Sequence, residues 1–390
     1  MIPTLLLCAI AAVDPPSAAT DHEAPAATPM VEAAAGSDSP APDANRPASP
    51  AERRSMGDEG GGDGTAGGDG GASPSTVSDP LVVGARVHGR FKLSDQDPKA
   101  AFDLRRARLA FDLQPMWWLA AQLDADVSKV PMVKDAYVDV GPGELLRVRV
   151  GQFKTPYSRI ELTSSGRLPL VDRGLVNQEL TIAAGFGGRD RGLMVHGSIA
   201  SLGYAVAIHN GTATQDEVDD GKDVGARLTY KPARVLELGV SGGYLLRNAR
   251  VVGVVPRRFA SGGVDLRLRL ARLEVVGEAL YAQDPLVAND VRTLAGIAYA
   301  VVRGPKVSGV SIRPVAKVEI LDQNVQANRD QARALGLGLN LHFAKALRLM
   351  VQAEELWAEA NSALAEERRL VVQLAFDDRL PLALRHPGGS

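Results

Sequence analysis

The chain has 390 residues, a formal net charge of −2 and 45% hydrophobic residues. It contains no run of about eighteen apolar residues, which excludes conventional transmembrane helices. Its single cysteine, Cys8, excludes a disulfide framework and a cysteine metal site. The charge is unevenly distributed, because residues 1–80 carry twelve acidic and three basic side chains and the remainder has a net charge of +7. This basic excess favours anionic ligands.

The first eighty residues divide into two segments. Residues 2–13 are mostly apolar and precede a Pro/Ser/Ala stretch, which resembles the core and cleavage zone of a secretory signal although the basic start is missing. We therefore expect a signal segment at 1–19. Residues 20–79 are mainly Ala, Pro, Gly, Asp and Ser and lack the apolar surface that would offset the entropy of ordering them. We expect a disordered acidic linker in the periplasm, either a plain spacer or a tether to a partner.

Beyond residue 80, apolar and polar residues alternate in sixteen segments. Alternation is typical of a β-strand with one apolar and one polar face. Near the end of the chain, for example, Leu335, Leu337 and Leu339 share one face, while Ala334 and Asn340 lie on the other. The predicted strands are 81–93, 101–114, 116–128, 132–140, 144–153, 189–200, 202–210, 223–231, 234–247, 258–270, 272–284, 291–303, 310–322, 331–343, 346–358 and 367–378.

The connections between these strands alternate in length. Most even-numbered strands are followed by tiny turns, and most odd-numbered strands by longer loops; 129–131 and 304–309 depart from this pattern. Short periplasmic turns and long outer loops are typical of outer-membrane barrels. A soluble β-sandwich also has many short strands but gives no reason for this alternation. We therefore predict an all-β protein: a 16-stranded antiparallel transmembrane β-barrel at 80–380, with a flexible tail at 381–390.

The alternation also sorts charged side chains by face. Arg105 and Glu355 fall on the lipid-facing parity, but most charged residues fall on the inner one. Inward guanidinium groups would lower the energy barrier to the passage of anions through the lumen. If they instead pair with the many inward acids, the charge of the lumen wall is balanced. The predicted basic residues of the lumen wall are Arg86, Arg90, Arg106, Arg108, Arg147, Arg149, Arg227, Arg267, Arg269 and Arg313.

Several motifs follow one another between residues 151 and 197. They are Gly151-Gln-Phe-Lys-Thr-Pro-Tyr157, Glu161-Leu-Thr-Ser-Ser165, Leu168-Pro-Leu-Val-Asp-Arg173, Arg189-Asp-Arg-Gly192 and His196-Gly197. This ordered set resembles the phosphate-selective porin O and P family. The resemblance implies a homotrimeric channel in the outer-membrane lipid that draws anions, phosphate among them, through an arginine-lined lumen. Asp172 stands where the family usually has Glu, and the family's lysine cluster is not evident.

The longest connection, 154–188, lies within these motifs. In sixteen-stranded porins the corresponding loop folds into the lumen and sets its narrowest width, although an ordinary surface loop is the alternative. Its acids are Glu161, Asp172 and Glu179. The candidate constriction residues are Lys154, Arg159, Arg167, Arg173 and Arg189.

Enzymatic, cofactor and metal functions have little support. The histidines are scattered, and the chain contains neither a nucleophile elbow nor a phosphate-cradling glycine loop. No basic patch is interleaved with aromatics, which argues against nucleic acid as a partner. We expect no catalytic residues, no cofactor and no metal. The sequence favours an outer-membrane porin for passive diffusion of small anions; the alternative is a structural barrel with little conductance and a periplasmic tether.

Overall fold

The computed structural model describes residues 81–96, 98–212, 221–247, 257–284 and 291–382. The predictions for the signal segment, the acidic linker and residues 383–390 lie outside this part of the chain. The strands are β1 (Leu81–Ser94), β2 (Ala100–Met116), β3 (Leu119–Asp126), β4 (Val133–Val140), β5 (Arg147–Lys154), β6 (Arg189–Ile199), β7 (Leu202–His209), β8 (Asp223–Ala233), β9 (Leu236–Arg247), β10 (Arg257–Leu270), β11 (Leu273–Asp284), β12 (Val291–Val302), β13 (Lys306–Val307), β14 (Val310–Asp322), β15 (Gln331–His342), β16 (Leu347–Ala358) and β17 (Glu367–Leu382).

The strands form one closed antiparallel barrel. Each pairs with its neighbours in the chain, and β1 closes the sheet by pairing with both β2 and β17. The two-residue β13 lies in a turn, because β12 pairs directly with β14. Sixteen strands therefore make the wall, which confirms the predicted fold class. The largest difference from the predicted strand ends is at β17, which continues from 378 to Leu382 through pairing with the first residues of β1.

The two faces of the wall differ as the alternation predicts. On β15, Leu335 and Leu337 are exposed on the outside, whereas Ala334 and Asn340 are buried inside. An apolar outer face suits a bilayer, since lipid takes the place of a protein core there. Among the described residues no helix is long and apolar enough to cross a membrane.

A β-bulge in β2 changes the face of one charged residue. The pairing of β1 with β2 shifts between His88 and Gly89, so that Arg105 is the extra residue on β2. Both Arg105 and Arg106 consequently point inward, with exposed fractions of 4% and 2%. The expectation that Arg105 faces lipid is wrong, because strict alternation has no place for an inserted residue. Glu355 pairs with the exposed Arg368 at 2.7 Å, near the end of β16.

The connection 154–188, called the long loop below, folds inside the barrel. It contains one helical turn, α1 (Arg159–Leu162), and a π-helical segment (Asn177–Ala183). The long loop contacts strands on several sides of the wall. The side chains of an ordinary surface loop, which was the alternative, would instead be solvated.

Candidate functional site

The long loop is attached to one half of the barrel by apolar packing. Its buried side chains Tyr157, Ile160, Leu168, Leu170, Val176, Leu180 and Phe186 form one cluster with residues of β9, β11, β12 and β14. From β12 the cluster includes Ala295, Ile297, Tyr299 and Val301. The whole inner face of this strand is almost wholly apolar, since Val291 and Thr293 complete it. Burial of this surface stabilises the loop inside the barrel. This half of the interior is therefore covered by the loop.

A carboxylate on the wall binds the first turn of the long loop. Glu278 of β11 accepts hydrogen bonds from the Ser158 hydroxyl at 2.6 Å and from the backbone N–H groups of Arg159 and Ile160 at 2.6 and 3.2 Å. Ser158 has φ 62°, a conformation that side-chain-bearing residues rarely adopt. The Arg159 guanidinium reaches Asp265 and, at 3.2 Å, Glu237. This carboxylate anchor holds the loop across the lumen from its root.

The middle of the long loop is bound by the strands near the barrel closure. Arg348 of β16 donates to the carbonyl oxygens of Leu168 and Ser165 at 3.0 and 2.6 Å. Asp172 lies 2.6 Å from Arg105 and 3.3 Å from Arg90. Burial raises the pKa of Asp172, but Arg105, Arg90 and the other neighbouring cations lower it more, so that it lies well below its usual range. Asp172 therefore stays ionised and binds the loop to β1 and β2.

The root of the loop contains a buried ionic group. Lys154 donates to the backbone carbonyl of Glu161, and its Nζ lies 3.4 Å from the Glu161 carboxylate. Arg173 lies 3.6 Å from the other oxygen of that carboxylate and donates to the carbonyls of Ile160 and Thr163. Lys154 is thus placed beneath the loop, with an exposed fraction of 5%, and its predicted role at the constriction stays a prediction.

Arginines from distant parts of the chain meet beside this root. Arg106 interacts electrostatically with Arg108, Arg105, Arg173 and Arg86, and Arg189 acts on Arg173 in the same way. Burial, together with the like charges of Arg105, Arg108 and Arg189, lowers the pKa of Arg173 to about 10 against the opposing effect of Glu161. We call Arg86, Arg105, Arg106, Arg108, Arg173 and Arg189 the basic cluster.

Acids surround the basic cluster and neutralise part of it. Arg108 donates to Asp126 at 2.9 Å, and Arg189 binds both oxygens of Asp135 at 2.8 and 2.5 Å. Arg86 pairs with Asp377. An anion that approaches the cluster therefore meets both guanidinium groups and carboxylates, with the guanidinium groups close to one another.

Other candidate arginines form separate pairs along the wall. Arg149 binds Asp139 through two hydrogen bonds of 2.9 and 2.7 Å and lies over the Tyr137 ring. Arg227 pairs with Asp265 at 2.7 Å, and Arg267 and Arg269 both approach Glu274. For these residues the geometry matches the alternative in which inward arginines pair with inward acids and the charge of the wall is balanced.

The remaining candidates lie at the edges of the barrel interior. Arg147 donates to the backbone carbonyls of Gly143 and Trp117, at the periplasmic end of β5. Arg313 contacts the Ser311 hydroxyl at 3.4 Å near the start of β14. Arg167 is exposed where the long loop turns. The structure does not bring these three into the basic cluster.

Sequence reasoning missed three cations that contact the loop or its partners. Arg105 was hidden by the bulge, and Arg348 lay on the inner parity but was not singled out. Arg369 pairs with Glu354 at 3.0 Å and lies 4.0 Å from Asp172. Its inward parity on β17 was a usable signal. Within the described ranges, no group of three or more His, Cys, Asp or Glu side chains is arranged to hold a metal ion.

A closed sixteen-stranded barrel with an apolar outer face and an inward-folded charged loop defines an outer-membrane porin. The family described as phosphate-selective porin O and P matches residues 83–269, which confirms the resemblance and the outer-membrane location. Family and fold point to a channel rather than an enzyme.

Known proteins support the same fold. The anion-selective porin from Comamonas acidovorans has a TM-score of 0.58 at 12% identity, over 76% of this chain and 99% of that one. Salmonella typhi OmpF, solved with daunomycin, has a TM-score of 0.58 at 13% identity, over 77% and 98%. Vibrio cholerae OmpT in its trimer form has 0.57 at 11%, over 76% and 98%.

One curated relative matches a shorter region. An uncharacterized protein of Aquifex aeolicus strain VF5 is 32% identical over 113 residues, which is 28% of this chain. The match spans only 27% of that relative's length.

Proposed function

We propose that this porin passes small anions, phosphate among them, through the space between the long loop and the basic wall. The observation that supports the proposal is the basic cluster, in which six guanidinium groups from β1, β2, the long loop and β6 lie together. A narrow passage beside such groups favours anions, because fixed positive charge replaces part of the hydration that an anion loses. The loop covers the apolar patch centred on the inner face of β12, so we take the side of the basic cluster as the path for ions.

Arg106 is the cluster member that best tests the idea. It is 2% exposed, and four neighbouring cations act on it. A single charge about 6 Å from a passing ion contributes about 0.7 kcal/mol in bulk water and about 3 kcal/mol at an effective dielectric constant of 20. The interaction energy in a confined, water-filled passage lies between these two values. We therefore expect Arg106→Gln to reduce the anion-to-cation permeability ratio about tenfold.

The measurement is the reversal potential of single channels in a tenfold KCl gradient. Arg333→Gln, which removes an exposed arginine from the outer face of β15, serves as the matched control. For a starting ratio of about ten, the potential would fall from about 41 mV to near zero in Arg106→Gln, while the control keeps the original value. A reversal potential of cation sign in the unmodified protein would refute anion preference. Phosphate block of the chloride current then tests whether phosphate occupies the passage.

A second candidate function is a structural barrel with little conductance. The dense apolar packing of the long loop against β12 favours it, because this packing fills part of the interior. Purified protein that inserts into bilayers without discrete current steps would support this alternative over the channel.

The proposed assembly is a homotrimer embedded in outer-membrane lipid. One solved structure with the same fold is described as a trimer form, which motivates the proposal. Light scattering of the detergent-extracted protein, corrected for bound detergent, tests it through the protein mass.

A further inference from the structure

Among the described residues, most of the exposed cations on the periplasmic rim of the barrel lie on one half. Four of the turns on this rim, which connect the strands from β8 to β16, occupy 231–236, 269–273, 303–310 and 343–347 and contain no Asp or Glu. Their cations are all exposed: Lys231, Arg234, Arg269, Arg272, Arg303, Lys306 and Lys345. The turns on the other half, at 113–119, 141–146 and 200–201, contain no Lys or Arg.

Neighbouring basic turns are in contact with each other. The backbone N–H of Arg303 donates to the carbonyl of Arg272 at 2.7 Å, and that of Arg269 donates to the carbonyl of Val235 at 2.8 Å. Glu274 partly neutralises Arg269, from which it lies 3.8 Å away, and Glu237 acts electrostatically on both Arg269 and Lys231. The other cations of these turns extend the charge along the rim. We call the seven residues the basic rim.

The chain itself carries a complementary acidic segment. Residues 55–79 contain Asp58, Glu59, Asp63, Asp69 and Asp79 and no Lys or Arg, and they directly precede the periplasmic end of β1. The same 55–79 stretch is rich in glycine, including residues 60–62. The segment is therefore tethered, through Leu81, to the same rim that carries the cations.

The connecting length is sufficient. Eleven residues lie between Asp69 and Leu81, and the connecting chain spans up to about 40 Å when extended. Along the rim, β1 is followed by β17 and then by the turn of Lys345, which connects β15 and β16. The turn of Lys306 comes next and begins at β14, the fourth strand from β1. At about 5–6 Å of rim per tilted strand, the second turn lies about 25 Å away.

We infer that the acidic segment 58–69 docks on the basic rim, beside the periplasmic exit of the barrel. Complementary charge in a high-dielectric setting gives a weak and salt-dependent contact, which is strengthened because both partners belong to one chain. Docked carboxylates would oppose the entry of anions at low ionic strength. This consequence rests on the proposed function, whereas the docking does not.

Zero-length carbodiimide cross-linking of the full chain, read by mass spectrometry, tests the docking. The reagent joins lysine amines to carboxylates, so we expect links from Lys306 or Lys345 to acids between 58 and 69, which disappear at about 1 M NaCl. Anionic lipid headgroups are the other possible occupant of the rim. Links that form in neutral detergent but vanish in vesicles of anionic phospholipid would assign the rim to lipid and overturn the inference.

Charge variants that leave the lysines intact give a matched comparison. Arg234→Gln, Arg272→Gln and Arg303→Gln together remove three charges from the basic rim. Arg329→Gln, Arg333→Gln and Arg368→Gln remove three exposed charges from the opposite end of the barrel. We expect the cross-link yield to fall roughly five- to tenfold in the first triple variant, since three surface ion pairs are weakened, and to stay constant in the second. Equal yields in the two variants, or no links to 58–69 in the unmodified chain, would refute the docking.

Discussion

Replacement of Glu278 by alanine is expected to release the first turn of the long loop. The Glu278 carboxylate accepts one hydroxyl and two backbone N–H hydrogen bonds, all from residues 158–160. Alanine would leave two buried N–H groups without this acceptor, at about 1–3 kcal/mol each, and would remove the charge-assisted bond to Ser158. A total of about 4 kcal/mol, after allowance for non-additivity, corresponds to roughly a thousandfold increase in the detached population.

The other anchors limit this release to the start of the loop. Tyr157 contacts the Ser261 hydroxyl, Arg159 pairs with Asp265, and Ile160 lies in the apolar cluster. Detachment of the turn would also relieve the positive φ of Ser158, which favours the released state. We therefore expect local opening rather than loss of the barrel.

Trypsin cleavage after Arg159, followed in detergent micelles, measures the opening. Arg159 is 7% exposed in the folded chain, so cleavage there reports the open population when closing is fast. The matched control is Glu274→Ala, on the same strand and the same face, where the carboxylate pairs with Arg267 at 3.1 Å. Equal cleavage rates for the two variants would refute the assignment of Glu278 as the anchor. Additional open-channel noise in Glu278→Ala alone would connect the opening with conduction.

Two further predictions concern charges of the interior. Arg105→Leu is expected to destabilise the protein and speed loop proteolysis, because Arg105 pairs with Asp172 at 2.6 Å. If Arg105 faced lipid, its replacement by leucine would instead stabilise the protein. Higher thermal stability of the variant would therefore contradict the bulge. Burial raises the pKa of Glu179, which therefore gains its proton at higher pH than an exposed glutamate. Anion preference should rise as pH falls through this pKa, and Glu179→Gln should remove the step in the reversal potential; a step that persists would exclude Glu179 as its source.

The barrel could be predicted from the sequence because the direction of each side chain in the wall follows from its position along its own strand. A side chain on a strand points to the side opposite its neighbour, so Leu335 and Ala334 reveal two environments without any knowledge of the partners. The bulge at Arg105 escaped this reasoning, because an inserted residue shifts the faces on one side of it. Only the pairing of β1 with β2 defines where the shift occurs.

The position of the long loop left a weaker signal. Leu168, Leu170, Val176, Leu180 and Phe186 are unusual for a solvated loop, and their number favours burial. The surface they bury against was not predicted, because β12 has apolar residues on both faces and its inner face differs from those of the charged strands. Which apolar segments meet is a question of long-range packing that alternation along a strand does not address.

The same limitation separates the arginines of the isolated wall pairs from those that are crowded together in the basic cluster. Parity places Arg149 and Arg106 on the same inner surface, but the acid opposite Arg149 is its cross-strand neighbour, Asp139. Arg106 instead meets cations delivered by the bulge and by the returning loop. The electrostatic character of the passage therefore depends on how the loop returns to the wall. Selectivity should accordingly respond more strongly to changes at Arg106, which lies among other cations, than to changes at Arg149, although both substitutions remove one inward charge.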